Sequence, residues 1–275
     1  MAVKSKILII GPTGATGRHI VRASVEAGHP TYILVSNTTG TEIPNKPELI
    51  ATANPETKLE LLESFKSSGV TLLIRFFPSE FGLDVDRHDA VEPVRQVFED
   101  KARFRRQIEA AGIPYTYICC HAYTGYFLRN LAQVGCTKPP RDKVSILGDG
   151  NIKGAYVTQE DVGTYTIKAA DDPRTLNKIV HIRLPANYLT MNEIVSMWEN
   201  KIGKTLEKIY IPEEQILKNI KAASLHLSYV WALYHSQQIR GDAVYEIDPI
   251  KDFEAHELYP DVKYTTVDEY LDQFV

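Results

Sequence analysis

The feature that most constrains this chain is its opening. The run Lys6-Ile7-Leu8-Ile9-Ile10 is followed by Gly11-Pro12-Thr13-Gly14-Ala15-Thr16-Gly17, and then by helical spacing from His19 to Ala27 that stops at Gly28. A continuous apolar run reads as a strand buried on both faces, the usual state of a parallel strand. Thr31-Tyr32-Ile33-Leu34-Val35 is a second such strand. Strand, helix and strand in quick succession predict a parallel sheet with right-handed crossovers.

The glycine-rich turn has a chemical meaning in that setting. Glycines let the backbone turn tightly and approach a pyrophosphate, and a helix N-terminus offers free N–H groups at its positive end. The strand–turn–helix context is what lifts such a motif above a bare glycine pattern. Gly11, Thr13, Gly14, Ala15, Thr16 and Gly17 are therefore candidate dinucleotide-binding residues. The end of the second strand reads the ribose: an acid there favours NAD, a nearby base NADP. Here Val35-Ser36-Asn37-Thr38-Thr39 carries neither, which speaks against NAD, and Lys46 is the nearest cation. Ser36 and Lys46 join the cofactor candidates, with NADPH as the expected cofactor.

The remaining chain continues the alternation. Lys58 to Ser67, Glu92 to Ala111 and Glu160 to Ala170 have helical patterns. Thr71 to Phe77, Tyr115 to Cys120, Ala155 to Val157 and Lys178 to Leu184 read as strands. Capping boxes at Thr190–Glu193 and Thr266–Glu269 open two C-terminal helices. Pro212 precedes another helix, and Ser224 to Ile239 is apolar on much of its surface. The reading is an α/β, Rossmann-type doubly wound parallel sheet, shortened, with a smaller C-terminal α/β substrate lobe. Residues 1–150 form the dinucleotide-binding part, to which the strand near 178–184 returns, and 151–275 form mainly the substrate lobe.

Bulk properties remove other classes. A net charge of −4 with no Lys/Arg block makes nucleic acid an unexpected partner. Cys119, Cys120 and Cys136 are too few and too badly spaced for a disulfide framework or a zinc site. No signal-like segment or long apolar run is seen, so no membrane association and a cytoplasmic location are expected. A homodimer is the assembly to test.

Lys101 stands out in the helix from Glu92. The apolar stripe is Val94, Val97, Phe98, Phe104 and Ile108, and Lys101 falls along its middle, with Arg105 close to the same line. An inward lysine loses hydration, which suits a general acid/base or a donor to a cofactor ribose. A lysine that snorkels to water is the equal alternative on geometry alone.

Several motifs together resemble one plant family. They are Phe77-Pro78-Ser79-Glu80-Phe81-Gly82, the run Ala110 to Tyr117, Gly125-Tyr126-Phe127, Gly148-Asp149-Gly150-Asn151, Asp172 to Asn177, and Leu258 to Tyr264. The family includes isoflavone reductase, pinoresinol–lariciresinol reductase, phenylcoumaran benzylic ether reductase and eugenol synthase, atypical short-chain reductases with an NmrA-like domain. The stretch Cys119 to Phe127 looks most like the pterocarpan reductases. The resemblance implies NADPH-dependent hydride transfer to a benzylic carbon of a small phenolic phenylpropanoid or isoflavonoid. It places the family's catalytic lysine on Lys101 and its substrate-side tyrosine on Tyr126. His121 stands where many members have an asparagine near the nicotinamide. For Tyr126 and His121 the residues by themselves suggest ordinary core packing.

Two departures accompany the resemblance. The family usually has an arginine where Ser36 stands. Gly69 to Leu73 resembles the start of the family's third strand and Ile74 to Pro78 its fifth, so roughly 40 residues, more than one βαβ unit, are missing between Leu73 and Arg75. Two alternatives to an active reductase follow: a non-catalytic NmrA-like dinucleotide-binding regulator, and a product that does not fold. The apolar run across the junction is expected to take the vacant place beside the first strand, because a parallel sheet tolerates no hole.

Overall fold

The computed structural model describes residues 4–34 and 75–275. The first part is the expected unit: β1 (Ile7–Ile10), α1 (Gly17–Glu26) and β2 (Thr31–Leu34), with the strands parallel and Ile7 opposite Thr31. Val35, Ser36, Lys46 and the expected helix Lys58 to Ser67 lie outside the described residues.

The second part centres on a parallel sheet of β3 (Thr116–Cys119), β7 (Lys178–His181) and β10 (Asp252–Glu254), with β7 in the middle. All four residues of β3 are buried, as an apolar parallel strand requires. Around it lie β4 (Ala122–Tyr123), β6 (Lys153–Val157) and β8 (Tyr188–Thr190) in one small sheet, and β5 (Lys143–Leu147) with β9 (Glu207–Ile211) in another. β4, β5, β8, β9 and β10 were not expected from the sequence. The sheet is shared by distant segments, so both hydrophobic cores draw on residues from either side of position 150.

Helix boundaries follow local chemistry. α2 (Val94–Ala110) starts after Pro93, and α4 (Gln159–Asp171) is capped by Thr158, whose hydroxyl accepts from the Asp161 amide. Between them α3 (Thr124–Phe127) is one short turn. Both expected capping boxes form, at Thr190 for α5 (Met191–Ile202) and at Thr266 for α8 (Val267–Leu271). α6 (Glu213–Ala222) and α7 (Leu225–His235) pack together, and the chain then winds as a π-helical turn to Arg240.

Residues 75–77, the described end of the expected junction strand, do not lie beside β1. Phe76 pairs with Tyr115: its amide donates to the Pro114 carbonyl at 2.8 Å, and its carbonyl accepts from the Thr116 amide at 3.0 Å. The segment thus extends the β3–β7–β10 sheet on its far side. Among the described residues β1 pairs with β2 alone. Thr71 to Ile74, the rest of that expected strand, lie outside the described residues. Residues 75–77 stay where β3 offers a complete edge. Arg75 adds an anchor, donating to the carbonyls of Ala169 (2.7 Å) and Asp172 (3.0 Å) and to the Thr175 hydroxyl (2.8 Å).

Candidate active site

The glycine loop is shaped by two close approaches. Gly11 has φ +79°, a conformation that glycine adopts without penalty. Gly17 has no room for a side chain, since a Cβ there would lie 2.1 Å from the Gly11 carbonyl oxygen. A Cβ on Gly14 would meet only that same oxygen, at 3.4 Å. The Gly14 amide donates to the Gly11 carbonyl at 3.2 Å and Arg18 to Gly14 at 3.2 Å. The amides of Ala15, Thr16 and Gly17 find no backbone acceptor among the described residues, which leaves donors at the positive end of α1.

α1 packs on α4 at another glycine. A Cβ on Gly163 would stand 2.6 Å from the His19 carbonyl oxygen, so the two helices approach as closely as backbones allow. A lone glycine inside a helical pattern was the available signal for this contact. Thr16 occupies the N-cap position of α1, yet its hydroxyl does not cap the helix. It bonds instead to the Tyr123 hydroxyl, at 2.8 Å.

Lys101 does face inward. Its Nζ donates to the Glu80 carbonyl at 2.8 Å, and burial lowers its pKa. It borders a groove of about 360 Å³ together with Pro78, Ser79, Val97 and Phe104. The buried line of α2 is Val94, Phe98, Arg105 and Ile108. Phe104, expected in the apolar stripe, is 42% exposed and meets Phe76 edge-on at 6.4 Å.

Arg105 is the residue whose weight the sequence understated. It is wholly buried, and its guanidinium donates to Glu80 (2.7 Å), Asp84 (2.6 Å) and Asp86 (3.1 Å) while lying 4.6 Å from the Tyr117 ring centre. Burial opposes the charge, but the surrounding negative groups, Glu80 and Asp84 among them, outweigh it and push the pKa up. This cluster fixes the turn Ser79 to Gly82, and with it the carbonyl that holds Lys101. Nothing in a single sequence announces that three carboxylates converge on one arginine.

His121 is buried with φ +56°, uncommon for a residue with a side chain. Its amide donates to the Gly82 carbonyl at 2.9 Å, but neither ring nitrogen has a partner among the described residues. The ring lies 5.9 Å from that of His181 and 6.1 Å from that of Tyr245. Burial, His181 and Arg183 hold its pKa well below the usual histidine range, so the imidazole is neutral. Tyr126 sits in α3, 42% exposed, with its ring 5.3 Å from Phe127, and Phe127 in turn lies 5.0 Å from Tyr234 of α7. Burial raises the Tyr126 pKa, with a contribution from Tyr229. Lys101, His121 and Tyr126 thus each have their own separate surroundings. No hydrogen bond joins any two of them among the described residues.

Comparison with known proteins places this arrangement. A model of the NmrA-like family matches residues 3–74 and 73–271, a match that breaks at the junction noted above. An isoflavone reductase from Glycine max is 62% identical over 320 positions, covering 100% of both chains. The phenylcoumaran benzylic ether reductase PT1 from Pinus taeda is 48% identical over 321 positions, again covering 100% of both. An alignment of 320 positions against 275 residues leaves 45 positions without a counterpart in this chain. A crystal structure of isoflavone reductase superimposes with a TM-score of 0.84 at 59% identity, covering 99% of this chain and 100% of that one. The binary complex of leucoanthocyanidin reductase with NADPH from Vitis vinifera gives 0.81 at 34% identity, covering 98% and 99%. With the glycine loop, the parallel sheet and whole-length identity in agreement, the chain belongs to the NmrA-like family, in the group that holds the isoflavone and phenylcoumaran benzylic ether reductases.

Proposed function

We propose that the protein is an NADPH-dependent reductase of an isoflavone-type phenolic. The observation that carries this reading is the 62% identity, over all of both chains, to an isoflavone reductase. That identity weighs toward an isoflavone substrate over a pterocarpan, the branch suggested by Cys119 to Phe127. The related NADPH complex supports the cofactor. The loop Gly11, Thr13, Gly14, Ala15, Thr16 and Gly17 would hold the pyrophosphate, with Ser36 and Lys46 near the 2′-phosphate.

The cofactor, when bound, supplies the hydride. Lys101 would either deliver a proton to the reduced substrate or hold the nicotinamide ribose. Its lowered pKa favours proton delivery, and the groove beside it gives access. Neutral His121, whose ring nitrogens have no partner among the described residues, would accept or donate one hydrogen bond to substrate or nicotinamide. Tyr126, with Tyr229 and Tyr234 of α7 nearby, would supply aromatic surface for a flat phenolic.

A second reading, a dinucleotide-binding regulator without turnover, draws on the 45 missing positions and on the side of β1 that has no partner among the described residues. NADPH titration together with NADPH oxidation in the presence of an isoflavone separates the two. Turnover is expected, and Lys101→Ala should reduce it by at least about 100-fold with binding of NADPH retained. If Lys101 is the proton donor, kcat should also fall with rising pH below the ordinary lysine range. Binding without any turnover in the parent protein would favour the regulator.

A further inference from the structure

Residues 4–34 and 75–275 touch mainly through α1 on α4, because β1 is not paired into the main sheet among the described residues. Apart from contacts of His19 with Glu160, and of Lys4 and His29 with Asp171, one polar tie joins the two parts among the described residues: the 2.8 Å bond between the Thr16 and Tyr123 hydroxyls. The Asp171 contacts lie at the far end of α1 and His19 meets Glu160 one turn into it. Only Thr16 lies within the glycine loop.

We infer that Tyr123 is a positioning residue for the phosphate loop, and that its hydroxyl holds Thr16 and the first turn of α1 in register with the C-terminal ends of the main-sheet strands. The inference rests on the reading of Gly11 to Gly17 as a dinucleotide loop. Three observations carry it. Thr16 stands at the N-cap but gives its hydroxyl to Tyr123, so no side chain of the loop covers the first-turn amides. Tyr123 is itself anchored: it lies in β4, pairs with Val157 of β6, and packs against the core that contains Val157 and Val162. On its other side is Cys120, whose thiol is pushed up to about 12 by burial and feels the charge of Lys101. The phenol thus bridges the loop to the surroundings of Lys101. It is neutral, since burial raises its pKa, so the bond persists at any working pH.

A hydroxyl pair of this kind contributes roughly 1 kcal/mol, about a five-fold change in an equilibrium. Tyr123→Phe removes one oxygen and keeps the packing, and Thr16→Val does the same from the other side. Tyr123→Phe should raise the Kd and KM for NADPH by about three- to ten-fold while kcat at saturation changes by less than about two-fold, and Thr16→Val should raise the Kd at least as much. The double variant should be no worse than the weaker single, since both remove the same bond. Hydrogen exchange in the protein without nucleotide gives a reading independent of binding. The Arg18, His19 and Ile20 amides should exchange faster in Tyr123→Phe, while those of β3 do not change. Gly14→Val is the control for the loop itself. If Gly14→Val abolishes NADPH binding but Tyr123→Phe leaves Kd, KM and these amides unchanged, the positioning role is overturned and the loop reading stands. If Gly14→Val binds normally, the loop reading fails. Additive effects in the double variant also overturn the proposal.

Discussion

β1 and β3 are built from the same kind of sequence and end in opposite situations. Thr116–Cys119 is buried at every position, flanked by β7 on one side and by Phe76 on the other. In Ile7–Ile10, Ile9 is buried, but Leu8 is 54% and Ile10 71% exposed. Tyr32 and Ile33 of β2 are exposed as well. The Ile7/Ile9 face lies under α1; the Leu8/Ile10 face has no such cover among the described residues. The difference teaches that an apolar run declares what a strand is made for, whereas its burial depends on which neighbours the fold brings to it; 45 positions of the aligned relative have no counterpart in this chain.

Stability measurements can break this comparison. The largest effect should come from the 75–275 body. Arg105→Met strands the buried carboxylates of Glu80 and Asp84, and a loss of about 3–5 kcal/mol is expected in denaturant unfolding. A loss below about 1 kcal/mol would mean that these carboxylates reach solvent or other donors. Next comes a matched pair. Ile118→Ala opens a cavity in a filled core and should cost about 2–5 kcal/mol. Ile10→Ala, at an exposed site of the same chemistry, should cost less than about 0.5 kcal/mol. Equal costs at the two positions would show that β1 is covered in solution. The smallest effect concerns recognition. Ser36→Arg supplies the bidentate cation that a 2′-phosphate prefers, and should raise the NADPH-over-NADH preference about ten-fold, or 1.4 kcal/mol. An unchanged ratio would place the 2′-phosphate away from position 36.

The site was legible where spacing is chemistry. The glycine loop needs its residues in one order for the backbone to turn, so the turn from Gly11 to Gly17 could be read directly, whereas the 3.6-residue period placed Lys101 on the apolar stripe but left inward and snorkelling orientations equal. His121 was found only through the family resemblance; its left-handed backbone, and ring nitrogens without a partner among the described residues, have no sequence signal. The π-helical turn after α7 and the pairing of β5 with β9 were equally silent, since neither has a pattern of its own.

By itself the sequence determined the β-α-β opening, the capped C-terminal helices, the family, and the place where a segment is lost. These depend on residues near one another in the chain: alternation, capping boxes, a glycine turn, a run of shared motifs. Only the tertiary structure decided that Phe76 stays beside Tyr115 and does not move to β1, that Glu80, Asp84 and Asp86 converge on Arg105, and that Thr16 meets Tyr123 across 107 residues. Each of these is a choice among partners far apart in sequence. It is settled by which surfaces can be buried together and which charges can be paired, quantities that exist only once the chain has folded.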